Sequence, residues 1–519
     1  MKTIFVTDNR EPATVELAAF LASKGFRVLL NDLAGTGVPD CCEAVRADPA
    51  DCGALESLLE GVSGELAGVL HPAPPFRWAS VEDADEALWT QAFQEGALAS
   101  LNVTRLFGER LASQGGGALV YLGSIHAEKP SGSAFLSTIS CSATQMLCRE
   151  AALDYGSRGV NCFHVQRGVM EQDLQNKNRH SNLYCAPERQ YPSGKLPETK
   201  ELFGLMELLF SGQASILNGA DLRADGGMSM YYGEQLADEE LAAIAEQLKR
   251  IPAPALPEFH HPDDRLSSPR GRVALITGGG KGVGAGVARV LCAAGYQACI
   301  GWNSSEALAK ATLEEIQSTG GEAFLFRADV SDREQLRAMA QETARRYGGI
   351  DVLVNNAALQ PNRYIRQYDA ETFHRVWDIN IGGYWRALQE CLPYLRQSGC
   401  PRVVNISSIH GNRPTVFDPG YAMTKGAIRM FTREAALELG QYGVTVNAIN
   451  LGGCKIEGKT GNFVFGLRKK PGTCVNPYSP LRRECYPEDA GFLALYLASE
   501  ESKNMTGSAI RLDSGSLLV

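Results

Sequence analysis

Ser408, Tyr421 and Lys425 have the types and spacing to move a proton to and from a substrate oxygen. They lie in VVNISSIHGNRPTVFDPGYAMTK, residues 403–425. The apolar run VVNI reads as a strand that ends at two serines. Tyr421 follows Ser408 by thirteen residues, and Lys425 follows Tyr421 by four. On a helix, positions i and i+4 share a face, so the phenol and the ammonium would point the same way. A serine hydroxyl at the carboxyl end of a strand can then meet them. A phenol titrates near pKa ~10 in water. A neighbouring ammonium would favour its ionised form and bring proton transfer closer to neutral pH.

The elements that must position this set begin at VALITGGGKGVGAGVARVL, 273–291, which reads as strand, glycine turn and helix. Gly278, Gly282 and Gly284 fall where the chain turns tightly and where a Cβ would block a dinucleotide. With Gly280, Lys281 and Val283 they form the expected phosphate-binding turn, whose helix-start amides accept pyrophosphate charge. The next strand ends in GWNSSE, 301–306. An acidic residue there would hold the ribose diol of NAD. Asn303 and Ser304 stand in its place, and Lys281 adds a positive charge for a 2′-phosphate. The expectation is therefore NADP(H), with NAD(H) the alternative. Asp329, followed by Val330 in ADVSD, would meet the adenine. Asn356, in DVLVNNAA (351–358), would shape the turn beneath the cofactor. Asn380 sits in WDINIGGYW (377–385), a polar residue in an apolar helix stretch, which predicts a buried bonding role.

These segments alternate short apolar strands with amphipathic helices, at 273–277, 297–301, 323–327, 351–354, 402–406, 444–449 and 508–512 for the strands. That pattern predicts an α/β fold with a doubly wound parallel sheet and a ligand crevice beyond the strands' carboxyl ends. The chain carries the pattern twice. LGSIHAEKP (122–130) resembles ISSIHGNRP (406–414), REAALDYGSRGVN (149–161) resembles REAALELGQYGVT (433–445), and NGADLRADGG (218–227) resembles TGSAIRLDSG (506–515). A length of 519 residues also favours two domains. The expected division is a degenerate Rossmann-like domain at 1–232, a linker at 233–270 and a catalytic domain at 271–519. In the linker, 234–250 reads as a helix, and IPAPALPEFHHPDDRLSSPRG (251–271) as an extended connector.

The second copy resembles the short-chain dehydrogenase/reductase family in its compact three-glycine form. The resemblance covers about 271–519 and rests on TGGGKGVG (277–284), NNAA (355–358), Asn380, Ser408, YAMTK (421–425) and DSG (513–515). It departs from the family's habit at Ala358 and in NLGGCK (450–455). The resemblance implies hydride exchange between a ketone and a secondary alcohol. Ser408 and Tyr421 would hold the carbonyl oxygen, with Tyr421 as general acid or base. Lys425 would also hold the nicotinamide ribose, and Asn380 a water that links this lysine to solvent. It implies a homodimer as well. Relatives that act on a carbon–nitrogen double bond, or epimerise through a transient ketone, form the alternative, and a dinucleotide-binding sensor is a third class.

The first copy lacks this equipment. TDNREPAT (7–14) replaces the glycine turn with Arg10, Glu11 and Pro12, and LHPAP (70–74) replaces VNNAA. Asp32 could meet a ribose but has no glycine turn beside it. Glu95 takes the place of Asn380, Ser137 that of Tyr421 and Cys141 that of Lys425, while Ser124 survives. The copy is expected to be silent in the reaction and to mimic a partner subunit.

A net charge of −9 disfavours nucleic acid and anionic membranes as partners. No apolar run reaches bilayer length, and MKTIFVTDNRE turns polar too early for a signal peptide. The 14 cysteines form no C-x-x-C pair and the 8 histidines no ligand spacing, so a reducing cytoplasmic setting and no metal are expected. His260 and His261, adjacent in the connector, read as solvated. Within 454–483, Lys455, Lys459, Arg468, Lys469, Lys470, Arg482 and Arg483 stand against Glu457 alone. This basic segment either meets an anionic small-molecule substrate or is a solvated loop or one that pairs with the acidic first domain. Phe463, Val464, Phe465 and Tyr478 either line an apolar wall or simply pack.

Overall fold

The computed structural model describes residues 1–132, 134–170, 191–192, 195–230, 271–415, 417–455, 463–464, 467–468, 480–481 and 485–518. The expected linker, with His260 and His261, lies outside these residues. So do Glu457, Lys459, Phe465, Lys469, Lys470, Tyr478, Arg482 and Arg483, and the side chains of Phe463, Val464 and Arg468.

Apolar runs buried on both faces form two parallel sheets. In the first, β1 (Thr3–Val6), β2 (Arg27–Asn31), β3 (Glu43–Val45), β4 (Leu66–Pro72), β5 (Gly117–Ser124), β6 (Val160–Arg167) and β7 (Asp221–Ala224) lie in the order 3-2-1-4-5-6-7. The second repeats that order with β8 (Val273–Ile276), β9 (Gln297–Trp302), β10 (Glu322–Arg327), β11 (Val352–Asn355), β12 (Arg402–Ser408), β13 (Thr445–Leu451) and β16 (Ala509–Leu512), as 10-9-8-11-12-13-16. The pairs β14 (Phe463–Val464) and β15 (Leu467–Arg468) make a short antiparallel ribbon. The expected strands recur with ends shifted by one or two residues. β12 runs on to Ser408 because Ser407 and Ser408 still pair with Asn450 and Leu451 of β13.

The helices that matter below are α1 (Pro12–Ser23), α2 (Cys52–Gly61), α3 (Glu86–Ala92), α4 (Ala99–Ser113), α5 (Phe135–Gly156), α6 (Phe203–Phe210), α7 (Gly282–Ala293), α8 (Glu306–Ser318), α9 (Arg333–Tyr347), α10 (Ala370–Trp377), α11 (Gly383–Leu395), α12 (Pro419–Leu439) and α13 (Pro487–Ala498). Each half carries a π-helical turn at the same point, Phe93–Leu98 between α3 and α4 and Asp378–Gly382 between α10 and α11. Such wide turns cluster at functional sites because they re-aim a side chain and loosen a carbonyl.

The halves pack through α5 against α12, and their contacts obey an internal two-fold relation. Arg149 Nη1 donates to the carbonyl of Asn412, and Arg433 Nη1 to that of Glu128. Glu150 receives the amide and hydroxyl of Thr415, and Glu434 those of Ser131. Asp154 receives the Ile365 amide, and Glu438 the Val81 amide. Residue i of one half meets j of the other, and the counterpart of j meets the counterpart of i, which is the signature of an isologous interface. Ser142 Oγ donates to the Gly426 carbonyl at 2.9 Å, near the axis. Alongside, the indoles of Trp89 and Trp385 stack with centroids 4.9 Å apart, and Arg386 grips Glu86 with two bonds of 2.7 Å. One apolar cluster runs through both halves, from Phe5 and Trp89 to Trp385 and Phe431.

Candidate active site

Asp418 caps α12 by accepting from the Tyr421 amide at 3.2 Å, and Pro419 at the first helical position has no amide to satisfy. The cap starts the helix just where Tyr421 and Lys425 fall one turn apart. Ser408 ends β12, accepting from the His410 amide at 3.2 Å and donating to the Leu451 carbonyl at 3.4 Å. Lys425 is buried, with Nζ 3.1 Å from the Ile406 carbonyl and 5.3 Å from the centre of the Tyr421 ring. The three side chains therefore meet at the carboxyl end of the second sheet.

Burial dominates their ionisation. It pushes the Tyr421 phenol up to about 12, although a hydrogen bond from Ser408 pulls the other way. It pulls the Lys425 ammonium down to about 7. The sequence had suggested that Lys425 would lower the phenol. In the protein alone the cost of desolvating either charge is larger, and each group favours its neutral form.

Asn380 is fully buried in the π-helical turn. Its side-chain oxygen accepts from the Leu359 amide at 2.6 Å, and its nitrogen donates to the Leu359 carbonyl at 2.9 Å and to Thr424 Oγ1 at 3.0 Å. Thr424 Oγ1 in turn donates to the Tyr421 carbonyl at 2.7 Å. The amide thus ties the loop after β11 to the first turn of α12, with both side-chain donors engaged and one lone pair of its oxygen left over.

The glycine turn is tight for identifiable reasons. Gly278 has φ of 63°, in the left-handed region, and a Cβ on it would come 2.9 Å from Ala357 Cα. A Cβ on Gly284 would lie 2.5 Å from both Asn356 Nδ2 and the Gly278 carbonyl oxygen, and one on Gly280 2.7 Å from Ala309 Cβ. Asn356 stitches the turn by donating to the Thr277 and Gly278 carbonyls at 3.1 and 2.9 Å. Gly282 and Val283 open α7, which has no side-chain cap, so its first amides carry partial positive charge with no side-chain acceptor from the cap residue. Gly284→Ala is expected to lower stability by about 1–3 kcal/mol, the range for overpacking. Thermal melting would show the loss.

Lys281 is exposed, its Nζ 2.8 Å from Ser305 Oγ. Asn303 Nδ2 donates to Asp329 Oδ2 at 2.9 Å, and Asp329 Oδ1 also holds the Ser331 amide and hydroxyl at 3.0 and 2.7 Å. These donors hold the Asp329 carboxyl below its ordinary range despite its burial. Ser304 is exposed beside them, and Val330 is buried.

Residues 272–462 match the family model described as short chain dehydrogenase. Residues 15–229 match the one described as Enoyl-(Acyl carrier protein) reductase. An uncharacterized oxidoreductase of Methylorubrum extorquens is 31% identical over 250 residues, which are 48% of this chain and 99% of that one. The 3-oxoacyl-(acyl-carrier-protein) reductase FabG of Staphylococcus aureus is 30% identical over 245 residues, 47% of this chain and 96% of the relative. The chain belongs to the short-chain dehydrogenase/reductase family. It is an oxidoreductase built of two such domains in tandem. The family uses NAD(P)(H), acts on small molecules and often forms oligomers. A hydroxynaphthalene reductase-like protein of Metarhizium brunneum is 31% identical over 256 residues, 48% of this chain and 95% of the relative. A short-chain type dehydrogenase/reductase from Mycobacterium marinum, solved as a crystal structure, is 29% identical with a TM-score of 0.44, covering 48% of this chain and 97% of that one.

The first short-chain dehydrogenase/reductase domain puts charged side chains where the second has its glycine turn. Arg10 pairs with Asp8 at 2.6 Å and reaches Glu95 at 3.4 Å, and Glu95 is also held by Arg77 at 2.6 Å. The guanidinium fills the turn that glycines leave open in the second domain. Buried Thr14 stands in the place of Gly284, and Pro72, with no amide to donate, in that of Asn356. A cavity of about 320 Å³ remains beside Arg10, Arg46, Asp48 and His71. Asp32 accepts from Asn9 Nδ2 at 2.6 Å and from the Thr36 and Gly37 amides, so its carboxylate braces a loop. Ser124 keeps the geometry of Ser408, accepting from the His126 amide at 3.3 Å. Ser137 Oγ instead accepts from the Arg77 amide at 2.8 Å. Cys141 is buried and its thiol pushed up to about 12, so it stays a neutral thiol.

Sequence reasoning missed Asp418, Thr415, Tyr368 and Thr424. Asp418 was readable from Asp-Pro opening an amphipathic run. Tyr368 comes from a distant segment, and Thr415 and Thr424, although within 403–425, carried no local signal. Among the described residues no cluster could hold a metal ion, and no helix is long and apolar enough to cross a membrane.

Proposed function

We propose that residues 271–519 interconvert a ketone and a secondary alcohol with NADP(H), Tyr421 acting as general acid and base. The observation that carries this reading is the meeting of Ser408, Tyr421 and Lys425 at the sheet end served by an open glycine turn. The turn at Gly278, Gly280 and Gly284 packs too closely on Ala357, Ala309 and Asn356 to admit a Cβ, and the uncapped helix start that it leads into would take a pyrophosphate. Lys281, Gly282 and Val283 would complete the turn. Lys281, Asn303 and Ser304 would meet a phosphorylated ribose, Asp329 and Val330 the adenine, and Asn356 would support the floor. Tyr421 and Lys425 would hold the nicotinamide end. Bound there, the nicotinamide supplies or accepts the hydride.

The protein's share is alignment and proton transfer. Ser408 and Tyr421 would both donate to the substrate oxygen, where negative charge grows during reduction. Burial keeps the phenol protonated near neutral pH, which suits proton donation and so the reductive direction. Asn380 spends both side-chain donors on Leu359 and Thr424, so a water held by this residue would donate to one of its two carbonyl oxygens.

Cofactor consumption with a panel of ketones, including 3-oxoacyl thioesters and hydroxynaphthalene-derived ketones, tests the reading. Alcohol formed at the expense of NADPH supports it. No consumption with any carbonyl, amine as product, or isomerisation without net turnover would sink it. Lys281→Ala is expected to reduce the preference for NADPH over NADH about 10-fold, the size of a hydrogen bond to a charged group. Equal loss with both cofactors would remove Lys281 from the 2′-phosphate.

The first domain is read as silent, supported by the Arg10 plug and by Ser137 in the tyrosine's place. Because α5 already covers α12 within one chain, a homodimer would need another surface, and sedimentation of the full chain decides it. A cytoplasmic location is proposed on the free thiols of the described cysteines.

A further inference from the structure

The geometry points to Glu150, in the first domain, as a positioning residue for Tyr421 in the second. This rests on the role proposed for Tyr421. The stretch from Ser408 to Tyr421 must hold two reacting hydroxyls in register, and its anchors come largely from the other domain. Glu150 Oε1 accepts from the Thr415 amide and, at 3.0 Å, from Thr415 Oγ1. Having donated its one proton, that hydroxyl accepts from the amides of Asp418 at 2.7 Å and Phe417 at 3.3 Å. Asp418 then caps the Tyr421 amide at 3.2 Å, holds the Asn362 amide at 2.8 Å and accepts from the Tyr368 hydroxyl. A hydrogen-bonded line thus runs from α5 to the residue that carries the phenol.

Neighbouring contacts hold the same stretch. Arg149 Nη1 donates to the Asn412 carbonyl at 2.9 Å, and Asn412 Oδ1 accepts from Asn450 at 3.1 Å. Asp154 receives the Ile365 amide at 3.4 Å, beside Tyr368. Within its own domain the stretch rests at Gly411, where a Cβ would come 2.7 Å from the Lys425 carbonyl. The degenerate domain therefore acts as a template that fixes the reactive loop of its partner.

The two-fold relation supplies a matched control. Glu434 makes the same kind of bonds to the silent domain, accepting from Ser131 N at 2.6 Å, Ser131 Oγ at 3.0 Å and Gly132 N at 2.7 Å. That line leads to Ser137, which has no phenol. Both carboxylates are buried at one interface, so their removal disturbs the packing alike.

In the full-length chain, Glu150→Ala is expected to lower kcat about 10-fold or more, since small misplacements of a reacting group are costly. The dinucleotide Kd should stay within about twofold, and the pH at which kcat is half-maximal should move. Glu434→Ala should leave kcat and its pH profile near those of the parent. Glu150→Gln, which keeps an acceptor oxygen in place, should restore most of the lost kcat. Equal losses in Glu150→Ala and Glu434→Ala, or a Glu150→Ala kcat within about twofold of the parent, would overturn the proposal. If Glu150→Ala does not fold, Thr415→Val breaks the same line at its middle, and an undiminished kcat there overturns it equally. Tyr421→Phe in the same assay separates the two readings. Full turnover in that variant sinks the role of the phenol itself, whereas loss there with normal Glu150→Ala kinetics sinks only the positioning claim.

Discussion

Tyr421→Phe is expected to lower kcat by about 10³-fold while leaving dinucleotide affinity and melting temperature close to those of the parent. General acid–base catalysis contributes roughly 10²- to 10⁴-fold, and the change deletes one hydroxyl without altering the ring. The ring edge keeps its place near His410, 6.4 Å away between centres, and near the Lys425 amine. Stopped-flow or steady-state measurement of cofactor oxidation reads the first quantity, and fluorescence titration the second. Because Ser137 stands at the corresponding point of the first domain, no second phenol is placed to supply residual turnover. Activity within tenfold of the parent would remove Tyr421 from the proton-transfer role.

Lys425→Met is expected to abolish most turnover, by about 10²-fold or more, and at the same time to stabilise the dinucleotide-free protein at neutral pH. Burial pulls Lys425 down to about 7 from an unfolded value near ~10.4. Below pH 7 the ammonium is charged in both states, and its desolvation cost is fully present. Between the two values the unfolded chain binds the proton and the folded chain does not, so stability rises with pH. The wild-type protein should therefore gain stability as pH climbs from about 7 to about 10. The gain from Lys425→Met, on the order of 1–3 kcal/mol after loss of the bond to Ile406, should be largest near pH 6 and shrink toward pH 10. Melting curves of both proteins across that range, without dinucleotide, check the sign. A difference independent of pH would mean that Lys425 is charged in the fold throughout.

Such a trade of stability for function fits the surroundings. Within the second domain the groups proposed to react are also the costly ones: a buried amine, a half-buried phenol and a glycine turn with no room for a Cβ. The first domain has relaxed each of these. Cys141 replaces the amine, Ser137 the phenol, and an Arg10–Asp8–Glu95 network fills the turn. What it retained is the helix α5 and its contacts to α12, the part that a neighbouring domain can use.

The chain's own order of residues was enough to give the two-copy organisation, the parallel α/β fold, the glycine turn and the Ser408, Tyr421 and Lys425 set. Each of these is local. Strand alternation, a glycine that must adopt positive φ and an i, i+4 pair on one helix are set by short-range geometry. The same holds for the damage to the first copy, because Arg10 and Pro12 sit where glycines are required. Tertiary structure alone decided the ionisation of the site. Whether Lys425 lowers the phenol depends on how much water each group has lost, and that is fixed by β12, β13 and α12 together. It also decided where the Asn380 side chain goes, since Leu359 and Thr424 come from other segments. Above all it decided the reciprocal clasp of Glu150 on Thr415 and Glu434 on Ser131. Sequence shows that these stretches are alike, but only packing, which buries two carboxylates across one axis, makes each copy hold the loop of the other.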